Sequence, residues 1–167
     1  GQVNSYPQIC RTPLISLFID NSIHVPSPSI LRIDPTSCES TIVTSGFDTP
    51  THVAVAPSGS IYVNDFLAHG GGINRITQVD PLNGAQIVIV NGGIFAVGAG
   101  QLGGIAIASN GSILTAGIAY INFNWSGQIV STDPLTGSQN VIFSAPNKRM
   151  HGLGIESDGK LVVAVTH

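Results

Sequence analysis

Three histidines occupy positions in which imidazole groups could carry out chemistry together. His52 and His151 each precede a short apolar run, and His69 lies in the glycine-rich stretch AHGGG. Neutral imidazole binds divalent metal ions and also serves as a general base. These residues are therefore the candidates for a metal site or a catalytic base, with ordinary loop and hairpin positions as the alternative.

Three aspartates share a setting, because each is followed by proline. They are Asp34, Asp80 and Asp133. Carboxylates could bind a divalent ion, but an aspartate before proline also opens a turn by accepting N–H bonds two or three residues further on. We expect the turn role, because the Asp-Pro step recurs within a repeated hairpin.

The elements that must position these residues are repeated along the chain. HVAVAPSGSIYVN at 52–64 returns as GIAIASNGSILTA at 104–116 and as GLGIESDGKLVVA at 152–164. Two apolar runs around Ser-Gly, Asn-Gly or Asp-Gly predict a β-hairpin. The expected connection is a type I′ turn with positive φ at both central residues.

A second repeated segment alternates with the first. It reads ILRIDPTSCESTIV at 30–43, TQVDPLNGAQIVIV at 77–90 and VSTDPLTGSQNVIF at 130–143. A period of about 50 residues that holds two hairpins is typical of a four-stranded propeller blade. The sequence therefore predicts an all-β fold, a β-propeller segment of about three four-stranded blades, with strands within 30–44, 52–90, 104–143 and 152–165.

The repeated positions also carry a family resemblance. They are Arg32, Asp34, Pro35, Pro50, Val53, Gly59, Tyr62 and Val63, then Asp80, Pro81, Gly84, Ile105 and Gly111, then Asp133, Pro134, Gly137, Leu153 and Gly159. This pattern resembles the NHL-type β-propellers and the related streptogramin-lyase-like and gluconolactonase-like propellers. The resemblance covers about residues 30–167 and implies the fold, but no single activity, because such propellers include enzymes, binding modules and scaffolds.

The organisation of the chain follows from these repeats. Residues 1–29 form a tail or cap with one candidate strand, LISLFI at 14–19, and residues 30–167 form blades. The units lie near 30–51, 52–103, 104–151 and 152–167. Three blades are too few for a ring of about four to eight. Either the sequence is part of a longer protein, or strands at its two ends join between chains in an oligomer or filament.

The repeat alignment sets the two hairpin histidines one position out of register. His52 aligns with Gly104 and Gly152, whereas His151 aligns with Thr51 and Gly103. Adjacent residues of a strand point to opposite faces, so a shared metal ion is not expected unless a bulge intervenes. We therefore assign no metal site, catalytic residue or cofactor.

Cysteine usage bears on the cellular compartment. Cys38 holds the turn position that is Gly84 and Gly137 in the other repeats, so it is expected to have positive φ. A disulfide from Cys10 to Cys38 would offset that cost and fix the tail to the first blade, with two free thiols as the alternative.

Other features of the sequence favour an extracellular location, secreted or at the cell surface. Asn110 and Asn124 begin glycosylation sequons, and charged residues make up only 9% of the chain. The start at Gly1 suits a mature chain or a fragment. No apolar run approaches the roughly 18 residues of a membrane span.

Three aromatic residues form a candidate binding surface. Tyr120, Phe123 and Trp125 lie in one connection between predicted strands, where they could contact a glycan or a protein, or pack between blades. A nucleic-acid partner is not expected, because the net charge is −3 and no basic stripe is present.

The sequence predicts a secreted binding or structural module without enzymatic activity. One alternative is an extracellular subunit that assembles through shared blades. Another is a lyase-type or lactonase-type propeller enzyme, truncated here.

Overall fold

The computed structural model describes residues 27–67, 73–95, 102–121 and 124–166, and this part of the chain contains strands but no α-helix. Each of the twelve described strands belongs to an antiparallel sheet. The strands are β1 Ser29–Ile33, β2 Ser40–Ser45, β3 Pro50–Val55, β4 Ile61–Leu67, β5 Ile73–Val79, β6 Gln86–Asn91, β7 Leu102–Ile107, β8 Ile113–Ile121, β9 Asn124–Thr132, β10 Gln139–Pro146, β11 Arg149–Ile155 and β12 Leu161–Thr166.

The sheets follow the sequence repeats. β3 to β6 form one four-stranded sheet and β7 to β10 form another, each in chain order, whereas β1–β2 and β11–β12 are strand pairs. The predicted all-β propeller segment is therefore confirmed. The chain divides into two compact units, Gly1–Gly46 and Phe47–His167. The candidate strand at 14–19 lies outside the described residues.

The hairpins between first and second strands are not the predicted type I′ turns. Only the glycine of each turn has positive φ, at 90° for Gly59, 86° for Gly111 and 88° for Gly159. Gly59 N–H donates to the Ala56 carbonyl at 2.8 Å, and Ala56 N–H donates to the Ser60 carbonyl at 2.9 Å. This is a three-residue connection with the left-handed residue last, so the preceding Ser, Asn or Asp keeps an ordinary negative φ.

The Asp-Pro hairpins have the predicted geometry. The Asp34 carboxylate accepts the Thr36 N–H at 2.7 Å, and Asp80 and Asp133 accept equivalent bonds at 2.8 Å and 2.7 Å. The bond from the Thr36 N–H lowers the pKa of the Asp34 carboxyl. Cys38 has a φ of 61°, beside 72° and 71° at the matching glycines, as expected from the repeat. The aspartates therefore build turns.

The hydrophobic core lies between successive sheets. Tyr62, Ile76 and Val90 of the first complete sheet pack with Ile113 and Val130 of the second. On the other side of the second sheet, a separate cluster joins it to the β11–β12 pair. The second complete sheet is thus covered on both faces, and residues 113–119 of its strand β8 are all buried.

The first strands of the sheets approach each other closely. β7 contacts both β3 and β11, so these three are the inner strands of the propeller. A β-carbon on Gly103 would lie 2.3 Å from the His151 carbonyl oxygen, and one on Gly104 would lie 2.2 Å from the Leu153 nitrogen. Only glycine lets the two backbones come this close.

Replacement of Gly104 by alanine is therefore expected to lower the free energy of unfolding by at least about 1–3 kcal/mol, because β7 must move away from β11. Gly154→Ala is the matched control, since a β-carbon there meets nothing within 4 Å. We expect that control to stay within about 0.5 kcal/mol of the parent in urea denaturation. Equal losses in both variants would contradict the close packing.

Candidate functional site

Each inner strand carries a β-bulge near its start. The pairing register shifts between Pro50 and His52 in β3, between Leu102 and Ile105 in β7, and between Met150 and Leu153 in β11. A bulge sets two residues of one strand opposite one residue of its partner, and so changes the face to which the next side chain points. The alternation that would separate the two histidines is therefore interrupted in both of their strands.

The bulges open onto one cleft of about 360 Å³. His52 and His151 both line it, despite their different register in the repeat. The full lining is Thr49, Thr51, His52, Phe66, Asn74, Gly103, Met150 and His151. These residues combine hydroxyl, amide and imidazole groups with one aromatic and one thioether side chain. We call this feature the axial cleft, because it lies at the inner strands.

The two histidines of the axial cleft have different surroundings. Partial desolvation lowers the pKa of His52, which favours the neutral imidazole. The Nε2 atom of His151 lies 3.0 Å from the Thr166 hydroxyl, within hydrogen-bond distance. Desolvation thus favours the neutral form of the His52 imidazole, and Thr166 of β12 orients the His151 imidazole.

A buried carboxylate shapes the chain beside the axial cleft. Asp65 of β4 is fully buried and forms an ion pair with Arg75 of β5. It also accepts the backbone N–H groups of Asp48 and Thr49, at 3.1 Å and 2.8 Å. These bonds fix the segment that leads into β3 and so position Thr49. A charged residue amid the apolar run IYVNDFL was the sequence signal for this group.

Asn64 ties the first complete sheet to the inner strand of the next. Its Nδ2 donates to the Gly103 backbone carbonyl at 3.1 Å, and the Asn64 backbone carbonyl accepts the Thr51 hydroxyl at 3.3 Å. The repeat-equivalent residues are Ala116 and Ala164. This bond is therefore particular to one blade, and it holds one wall of the axial cleft.

The remaining candidates from the sequence do not join the axial cleft. His69 and Phe123 lie outside the described residues, as does Cys10, so the disulfide to Cys38 stays a prediction. Tyr120 pairs with Trp125 across β8 and β9. The Arg149 guanidinium lies 5.6 Å from the centre of the half-buried Trp125 ring, a cation–π contact that joins β9 to β11.

The predicted glycosylation sites are both exposed. Asn110 lies in the β7–β8 hairpin, and Asn124 begins β9. Among the described residues, no group of three histidine, cysteine, aspartate or glutamate side chains could hold a metal ion. Within the same residues, no helix has the length and apolar character needed to cross a bilayer.

Solved structures share this fold. The periplasmic gluconolactonase of Pseudomonas aeruginosa aligns with a TM-score of 0.55 and 16% identity, over 82% of this chain and 42% of that one. A proposed gluconolactonase aligns with a TM-score of 0.57 and 18% identity, over 86% and 44% of the two chains. This chain therefore spans less than half the length of the gluconolactonases that it matches.

A third similar structure is the extracellular domain of a proposed one-component system from B. thetaiotaomicron. It aligns with a TM-score of 0.52 and 14% identity, over 82% of this chain and 17% of that one. No protein-family profile and no curated protein matches the sequence. The similarities establish the β-propeller fold of this chain.

The lowered pKa of His52 predicts a pH dependence of stability. The unfolded chain takes up a proton near pH 6.5, whereas the folded chain resists it. The contribution of His52 is thus complete above about pH 6.5 and is lost as the pH falls through the lower, folded pKa. In urea denaturation from pH 8 to pH 5, we expect His52→Asn to show a shallower decline than the parent. Identical slopes would contradict the desolvation.

Removal of the buried carboxylate should destabilise the fold. Asp65→Ala leaves Arg75 and two backbone N–H groups without their acceptor, so we expect a loss of about 3–5 kcal/mol. Asp158→Ala is the control, because it removes an exposed carboxylate that also pairs with a basic residue, Lys160. Urea denaturation should show a much smaller loss for that control. A small loss in Asp65→Ala would show that the ion pair is dispensable.

Proposed function

We propose that this chain is a sugar-binding β-propeller module of a protein that works outside the cytoplasm, and that the axial cleft takes the ligand. The observation that carries the proposal is the lining of the cleft. Two imidazoles, two threonine hydroxyls and one asparagine amide surround a cleft whose described lining contains no carboxylate, lysine or arginine. Such a lining suits a neutral ligand rich in hydroxyl groups.

The apolar groups of the axial cleft fit the same ligand class. Phe66 offers a surface for the C–H face of a sugar ring, while the polar groups pair with its hydroxyls. The cleft volume of about 360 Å³ lies within the usual range for small-molecule sites, about 300–1,000 Å³. A monosaccharide or one end of an oligosaccharide is the size class that we propose.

Binding without catalysis is favoured by the ionisable groups that the described residues supply. Glycoside hydrolysis usually needs a pair of carboxylates beside the bond, and catalytic zinc usually needs three protein ligands. The described lining supplies two imidazoles and no carboxylate.

Lactone hydrolysis is the second candidate function. A specific observation favours it, namely that the pKa of His52 is lowered, so that the imidazole is available as a base at neutral pH. Two of the similar structures are also a gluconolactonase and a proposed gluconolactonase. Under this alternative, His52 would activate water for attack on the lactone carbonyl.

Several features support a location outside the cytoplasm. One similar protein is periplasmic and another is an extracellular domain. Both glycosylation sequons lie on exposed asparagines, and only 9% of residues are charged. The proposed location is extracellular, secreted or at the cell surface.

The chain offers a single reporter for ligand binding. Met150 is the only methionine and it lines the axial cleft. With ¹³C-methyl methionine at fixed protein concentration, we expect titration with D-glucose or D-glucono-1,5-lactone to shift this one NMR signal saturably. His52→Ala should abolish the shift, while Trp125→Ala, on the other candidate surface, should retain it.

The same samples separate the alternatives. If the lactone disappears faster than in buffer, and His52→Ala removes the acceleration, then hydrolysis replaces binding as the function. If Trp125→Ala removes the shift and His52→Ala does not, the aromatic surface is the binding site. A signal that neither probe moves at millimolar concentration would contradict the sugar-binding proposal.

A further inference from the structure

The second strand of the β11–β12 pair has the sequence of a covered strand but lacks a cover. In the two complete sheets, Tyr62 and Leu114 hold one equivalent position and are each 6% exposed. The third residue at this position, Val162 of β12, is 56% exposed. Among the described residues β12 pairs only with β11, whereas β4 and β8 each pair with two strands.

In the β1–β2 pair, apolar residues at the positions of a third strand are exposed. Its Asp-Pro hairpin matches those that join the third and fourth strands of the complete sheets, so β1 corresponds to a third strand. Ile33 is 59% exposed, whereas Val79 at the equivalent position of β5 is fully buried. Leu31 is 41% exposed, and its equivalent in β9, Val130, is also fully buried. β1 therefore exposes apolar side chains at two positions that are fully buried in the third strands of the complete sheets.

An apolar groove lies where a third strand next to β12 would pack. Its volume is about 450 Å³. It is lined by Ile129, Ile142, Phe143, Met150, Leu161, Val163 and Val165. Between the two complete sheets, the corresponding space is filled in part by Val130 of the third strand β9. Leu31 is the repeat equivalent of Val130, so it is the residue that a third strand of this sequence would place in the groove.

Both complete sheets specify the register in which a third strand would pair. Ile61 pairs with Val79, and Ile113 pairs with Thr132. Tyr62 pairs with Gln78, and Leu114 pairs with Ser131. Transferred to the strand pairs, the same register sets Leu161 opposite Ile33 and Val162 opposite Arg32.

We infer that β1–β2 of a second copy of this chain docks along β12 in this register and completes a four-stranded blade. The inference goes beyond the sugar-binding proposal and does not depend on it. Strand addition pairs the edge of β12 that is unpaired among the described residues and covers the groove with Leu31. If each copy gives and receives one strand pair, two copies together hold about six four-stranded blades, a number within the usual range of four to eight for a propeller.

The register provides a direct test. Residues directly opposite each other in an antiparallel pair have β-carbons about 4.5–5.5 Å apart, close enough for a disulfide to form with small adjustments. We expect the Arg32→Cys/Val162→Cys variant to form a disulfide between two chains on mild oxidation. Thr36→Cys/Val162→Cys is the control, because Thr36 lies on the same hairpin but beyond the paired strand. Denaturing mass spectrometry without reductant gives the cross-linked mass.

Native mass spectrometry tests the assembly without cross-linking. At micromolar concentration we expect the parent at twice the chain mass and Val162→Lys at the single-chain mass, because the register sets that lysine directly opposite Arg32, where like charges repel. Ile87→Lys is the matched control, since Ile87 is 62% exposed on the outer strand of a complete sheet. It should retain the double mass.

Three results would overturn the inference. One is a parent protein that keeps the single-chain mass at every concentration. Another is a disulfide in the Arg32→Cys/Val162→Cys variant that forms within one chain. The third is equal cross-linking of the two cysteine pairs. None of these results bears on whether the axial cleft binds sugar.

Discussion

A strand in the middle of a propeller blade needs a partner on both edges and packing on both faces, and this requirement shapes the whole chain. β4 and β8 each pair with a strand on both edges, and most of their described side chains are buried. Their apolar residues accordingly lie on both faces, without the alternation of a sheet that faces water. β1 and β12 carry the same kind of sequence with exposed side chains. β1 and β12 therefore have the sequences of central strands, although in the described sheets each of them pairs with only one strand.

The axial cleft depends on a second constraint, the close approach of the inner strands. Gly103 and Gly104 let the backbone of β7 lie against that of β11, in space that a β-carbon would occupy. The bulges of β3 and β11 then bring His52 and His151 to one cleft. The residues at the bulges differ between the repeats, and this difference places polar groups at the axis. The equivalent pairs are Thr-His at 51–52, Gly-Gly at 103–104 and His-Gly at 151–152. The framework is thus common to the blades, while the chemistry of the cleft differs from blade to blade.

The repeats predicted most of the fold, but less of the site. Turn residues and a period near 50 residues located the strands to within about three residues, and the left-handed φ of Cys38 followed from its alignment with glycines. The bulges were not predicted, because one extra residue leaves no mark on an apolar run. The turn type was wrong for a similar reason, since Asn-Gly fits both a two-residue and a three-residue connection. The pair of Asp65 and Arg75 joins two strands across ten residues, and only the strand register reveals it.

Amide hydrogen exchange of the whole chain tests most directly the claim that β12 is a central strand of a blade. The measurement compares peptides from β12 with peptides from β8 at micromolar concentration, with the exposed turn at 109–111 as the reference for rapid exchange. Slow exchange in β12, similar to that in β8, is the result that we predict, because both strands would then be paired on two edges. Exchange in β12 as rapid as in the turn, while β8 stays protected, would contradict the account.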